Sequence, residues 1–175
     1  MPITLNGNGT VTGLTALPDS AMSSGSIIQV VSTTKTDTAS TTNSSSFEDI
    51  SGMSVSITPS STSSKILILI SLGSISSIAG VAVGFKLIRG STAIGNATST
   101  TSQSGFTNIY GGEATTDRNI LSASHNFLDS PSTTSSTTYK LQWRNSSSTS
   151  YINRYEGSSD SYNGSSTITA MEVAA

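Results

Sequence analysis

Apolar and polar residues alternate with a period of two along much of this chain. In TYKLQWR, Tyr139, Leu141 and Trp143 fall on one side and Lys140, Gln142 and Arg144 on the other; in SVSIT, Val55 and Ile57 share a side. That period belongs to a strand with one buried and one wet face. The pattern predicts strands at 27–33, 54–58, 65–72, 81–89, 106–110, 119–128, 138–144, 151–155 and 167–173. Clusters of Ser, Thr, Gly, Asn and Pro at 38–46, 59–64 and 131–137 separate some of them. Short strands punctuated by turn signals indicate an all-β sandwich or barrel.

KILILISL breaks the alternation. Ile66, Ile68, Ile70 and Leu72 fill one face, and Leu67 and Leu69 occupy the other. A strand apolar on both faces needs cover on both, so Ile66, Leu67, Ile68, Leu69 and Ile70 are expected in a core or at an oligomer interface. From residue 66 to 85 there is no charge, a length able to cross a bilayer. The serines and glycines of GSISSIAG instead read as a loop joining two strands of a hairpin, and no membrane span is expected.

Residues 1–25 have a different texture. Ile3, Leu5, Val11, Leu14 and Leu17 stand singly among Gly, Asn and Thr, and Gly7, Gly9 and Gly13 interrupt any regular element. So many aliphatic residues are rich for a disordered tail, and these five are read as an attachment arm that orders against a partner. Residues 26–175 form the body.

Composition narrows the function. Charged residues are 10% of the chain and the net charge is -2, with eight scattered Lys and Arg. Phosphate binding needs clustered cations, so no nucleic-acid partner is expected. Ser and Thr exceed a third of the residues, which favours strands and keeps a surface hydrated without charge. There is no cysteine, hence no disulfide and no thiolate metal site. The opening MPITLNGNG has neither the basic start nor the apolar run of a secretory signal, so release from a cell by lysis is expected.

Motifs for chemistry are sparse. His125, the sole histidine, is read as a packed or solvated strand residue. The acidic residues Glu48, Asp49, Glu156 and Asp160 lack the spacing of a calcium loop, and no nucleophile elbow or phosphate loop stands at a strand-to-helix turn. No metal, no cofactor and no catalysis are expected. Trp143, Arg144, Tyr151, Arg154 and Tyr155, with Tyr162 nearby, suit either glycan contact or the sandwich's own core and rim.

Taken in order, MPITLNGNGTVTGL, the segment from Gly52 to Lys65, KLIRGSTAIG, TYKLQWR, YINR and STITAMEVAA resemble a family of small marine and cyanobacterial phage virion proteins. The likeness runs the length of the chain. It implies a jelly-roll-like antiparallel β-sandwich with an extended N-terminal arm, a homotrimer attached to a major capsid or other virion protein, and no catalysis. Two roles are then expected: a capsid decoration or head-fibre protein on the particle surface, or a short tail fibre whose tip contacts host surface glycans.

Overall fold

The computed structural model of the chain describes residues 4–5, 7, 11–12, 22–98, 104–111, 119–157 and 162–175. Its strands are β1 (Thr4–Leu5), β2 (Val11–Thr12), β3 (Ile27–Lys35), β4 (Ala39–Thr41), β5 (Glu48–Ile57), β6 (Lys65–Ser77), β7 (Ala82–Arg89), β8 (Thr92–Ile94), β9 (Thr107–Tyr110), β10 (Asn119–Asp129), β11 (Thr137–Asn145), β12 (Ser150–Ile152) and β13 (Ser166–Val173). All nine strands expected from the sequence have a counterpart, but the one expected at 151–155 ends at Ile152, where Asn153 turns to a positive φ. The other four lie outside the expected set: β4 and β8 sit in hydroxyl- and glycine-rich text, and β1 and β2 in the segment whose glycines predict no regular element, all too short to show a period.

Two antiparallel sheets hold the body. In the first, β3, β13, β6 and β10 lie side by side, and β12 and β4 continue the pairing along the far part of β6. In the second, β5, β11 and β7 are neighbours, with β8 and β9 on the other side of β7. Counting β3, β5, β6, β7, β8, β10, β11 and β13 as eight, the first sheet runs first-eighth-third-sixth and the second runs second-seventh-fourth-fifth. That connectivity is a jelly roll, two Greek keys wrapped into a sandwich.

The core forms where the inner faces meet. Ile66, Ile68, Ile70, Leu72 and Ile75 of β6, with Ile168 and Ala170 of β13, pack in one cluster with Met53, Val55 and Ile57 of β5, Phe85 and Leu87 of β7, and Tyr139, Leu141 and Trp143 of β11. All are buried. Among these, each strand contributes every second residue, except that β6 steps from Leu72 to Ile75 where its pairing with β10 shifts register.

The expected hairpin across residues 66–85 is corrected. β6 runs on to Ser77, and β7 belongs to the opposite sheet. The serines that looked like loop are strand residues whose hydroxyls find backbone acceptors: Ser76 Oγ donates to the Arg154 carbonyl at 2.8 Å and Ser77 Oγ to the Val81 carbonyl at 3.1 Å. Gly73 marks where β6 exchanges β13 for β12 as its neighbour. A Cβ there would lie 2.5 Å from the Ser165 carbonyl oxygen, so only glycine fits.

Asn153 fastens this crossing. Its backbone φ is 62°, a conformation asparagine tolerates better than most residues. Its amide donates to the carbonyls of Lys35 (2.9 Å) and Asp37 (3.0 Å), and its side-chain oxygen accepts from Ser166 Oγ at 2.6 Å. One buried side chain thus ties β3, β12 and β13 together.

β1 and β2 pair antiparallel, with Leu5 opposite Val11. Ile3, Leu14 and Leu17 lie outside the described residues. The body's N-terminal edge is pinned to its C-terminus: Gly25 N donates to the Ala174 carbonyl and Ala174 N to the Ser26 carbonyl, both at 2.9 Å. Met22, Ile28, Ser60, Ser64 and Ala174 line a cavity of about 430 Å³ at this end.

Candidate assembly surface

A sandwich has two outward faces, and here they differ in chemistry. On the β5–β11–β7 sheet, Lys140, Gln142 and Arg144 alternate with the buried Tyr139, Leu141 and Trp143. Register sets Gln142 between Asp49 and Lys86. Lys140 Nζ and Gln142 Nε2 both donate to Asp49 at 2.7 Å, Lys86 lies 4.1 Å over the Phe47 ring, and Arg144 Nε donates to the Ser44 carbonyl at 2.8 Å. The bonds from Lys140 and Gln142 hold the Asp49 carboxyl below the usual carboxylate range. This face is hydrated and its charges are locally paired.

The outward face of the β3–β13–β6–β10 sheet is neutral. Register aligns Val30, Met171, Leu67 and Leu128 in one row across the four strands. Ser32, Thr169, Leu69 and Asn126 make the next row, and Thr34, Thr167, Ser71 and Ser124 the third. No charged side chain occurs in these rows; Lys65 stands at their border beside Val173 and Ile27. Val30 is 54% exposed, Leu128 48% and Leu69 37%. The KILILISL strand is therefore split: Ile66, Ile68 and Ile70 are core, Leu67 is half-buried, and Leu69 faces outward and partly exposed.

The aromatic group is partly dispersed. Trp143 is 2% exposed in the core, which removes it from any glycan-binding surface. Arg144 belongs to the charged face. Tyr151, Arg154, Tyr155 and Tyr162 do come together: Arg154 stacks 4.3 Å over the Tyr151 ring, and Tyr155 and Tyr162 meet edge to face at 5.8 Å. Tyr162 is 71% exposed.

Two buried polar groups had no signal in the sequence. Glu172 lies at the end of β13 and accepts from Gln29 Nε2 (2.5 Å), Ser60 N (2.7 Å) and Ser60 Oγ (2.7 Å). Burial pushes its carboxyl up, but the hydrogen bonds from Gln29, Ser60 and Ser64 outweigh that and leave it below the usual range. Tyr139 Oη donates to Asp129 at 2.7 Å, and Arg89 bonds both oxygens of the same carboxylate at 2.9 Å. Burial first, then the Asp129 partner, holds the Tyr139 phenol far above its ordinary range.

His125 stacks on Phe106 with ring centroids 4.6 Å apart, and its Nε2 is buried without a hydrogen-bond partner among the described residues. Burial lowers its proton affinity, against a smaller opposing pull from the Gly95 backbone. No group of three or more His, Cys, Asp or Glu able to hold a metal occurs among the described residues. Nor, among them, is any helix long and apolar enough to cross a membrane.

No family model and no curated protein matches the chain. Among solved structures, a chain in the structure of infectious bursal disease virus Gt strain is similar over 99% of this chain, at a TM-score of 0.36 and 16% identity. The match takes in 47% of that chain, so this protein spans about half its length.

Proposed function

We propose that this protein is a non-enzymatic virion structural protein of a bacteriophage, a capsid decoration or head-fibre component that docks by residues 1–25 and projects its sandwich outward. The observation that carries the reading is the contrast between the two outward faces: one neutral with an apolar row, one hydrated with paired charges. A body apolar on one side and wet on the other suits a place in a larger particle. Jelly rolls recur in viral capsids and lectins, which is an analogy of fold. The resemblance of the chain's segments to small phage virion proteins points the same way. Extra contacts between neighbouring capsomers would favour the assembled state by mass action.

The test is a copy count in intact particles by quantitative mass spectrometry, with immunogold labelling for position. Hundreds of copies over the head are expected for a decoration protein, as symmetric capsids require. Absence from purified particles would overturn the proposal.

A second reading is a short tail fibre or receptor-binding tip. The exposed Tyr162 beside Tyr155 and the Arg154–Tyr151 stack favour it, since aromatic and Arg faces suit sugar rings. Tens of copies or fewer, confined to the tail, would select this reading.

A further inference from the structure

We infer that the neutral face of the β3–β13–β6–β10 sheet is where copies of this chain dock on one another. The inference deepens the proposed function by naming a partner. It stands or falls on association in solution, whereas that reading stands or falls on the particle.

The first argument is charge. Contacts between identical chains tend to set a patch against itself or against a neighbour of the same composition, so a charged patch repels its own copy. The three rows from Val30–Leu128 to Thr34–Ser124 hold no charge, and a net charge of -2 adds little long-range repulsion. Charged partners would find nothing here to bind, while the opposite face already pairs Asp49 with Lys140.

The second argument is extent. Lys65–Ser71 pairs with Val173–Thr167 along the full height of the patch. At about 3.3 Å per residue and about 4.8 Å per strand, four strands of this length span roughly 440 Å² of flat area. A standard interface takes roughly 800 Å² per partner, so a contact on this face must also draw on the adjoining edge of β10. Four large apolar side chains, Ile27, Val30, Leu69 and Leu128, are exposed on or at the border of it.

The third argument is the edge. Among the described residues β10 has β6 as its one strand neighbour, and Ile120 and Leu121 are exposed along it beyond Leu128. A long edge with apolar side chains is a surface that folded proteins normally cover. A second copy docked on the face and lapping over β10 covers both at once.

The experiment is sedimentation velocity and equilibrium on the full chain at micromolar concentration. Wild type is expected at an integer multiple of 17.9 kDa, twofold if the face meets its own copy in an isologous contact. Val30→Glu combined with Leu128→Glu is expected to shift it to a single 17.9 kDa species with an unchanged far-ultraviolet circular dichroism spectrum. Asn126→Arg, a polar exchange in the middle row that leaves the core untouched, is expected to do the same, so loss of association is separable from loss of folding. Gln142→Glu on the opposite face should leave the mass unchanged. A wild-type protein that is monomeric throughout would overturn the inference. So would variants that keep the wild-type mass, or a monomer that binds particles through this face.

Discussion

Residues 68 and 69 are neighbours on β6, and both are large aliphatic side chains. Ile68 sits in the core at zero exposure, whereas Leu69 lies in a neutral row facing out. The same contrast holds between whole faces. The outward side of β11 spends its positions on Lys140, Gln142 and Arg144, each with a local partner; the outward side of the β3–β13–β6–β10 sheet spends them on Val30, Leu67, Leu69, Leu128 and hydroxyls. A face that only meets water gains from charge and loses nothing by it. A face that must meet protein cannot carry unpaired charge, because desolvating it costs more than contact returns. The difference thus separates the wet side of the body from the side built to be covered.

The largest expected effect lies on the core side of that comparison. Ile68→Lys puts an unpaired charge among Ile168, Phe85 and Leu141 and should abolish folding, read as loss of the strand signal in circular dichroism. Leu69→Lys should leave the fold intact. Equal damage from both would erase the distinction between the two sides of β6.

Asn153→Ala comes next. It removes three hydrogen bonds, two of them buried, and leaves a non-glycine residue at a positive φ, at a cost of roughly 2–3 kcal/mol in denaturant unfolding. A loss within measurement error would mean that the junction of β3, β12 and β13 is held by its backbone ladder alone.

Acid should act in two stages. His125 has a lowered folded pKa, so below its ordinary value near 6.5 the unfolded chain binds the extra proton and stability falls with pH. Glu172 has a lowered carboxyl pKa, so its contribution is present at neutral pH and is lost as pH falls through the carboxylate range. The melting temperature should decline from pH 7 to pH 4, and His125→Phe should flatten the upper stage alone. A flat profile would contradict both assignments.

The smallest effect belongs to the wet face. Lys140→Met breaks an exposed pair and should change stability by no more than about 0.5–1 kcal/mol in thermal melts. A larger loss would mean that this face is covered too.

How far the chain itself foretold this depends on whether a feature is local. Alternation in TYKLQWR and SVSIT gave strands and the buried side of each, including Trp143. The two-faced KILILISL gave Ile66, Ile68 and Ile70 as core, while Leu67 and Leu69, expected to be covered as well, lie on the outward face. Sheet membership was not legible, because pairing first with eighth and third with sixth is a long-range fact. GSISS misled because buried serines bonded to backbone carbonyls read like turn residues. Val30, Met171 and Leu128 gave no warning either. Val30 and Leu128 stand among hydroxyls and amides on the outward side of their strands, Met171 has only Val173 beside it, and only register brings the three into line with Leu67. The arm residues Ile3, Leu14 and Leu17 lie outside the described part of the chain, so their proposed role rests on the sequence.

The absence of cysteine from the chain makes one measurement unusually clean. Single-cysteine variants Leu69→Cys and Gln142→Cys place one thiol on each outward face, and the rate of alkylation reports how accessible each is. As protein concentration rises from dilute to micromolar, the account predicts that Leu69→Cys becomes progressively protected while Gln142→Cys reacts at a constant rate. Constant rates at both positions, or protection at Gln142→Cys instead, would contradict the claim that the neutral face is the one built to be covered.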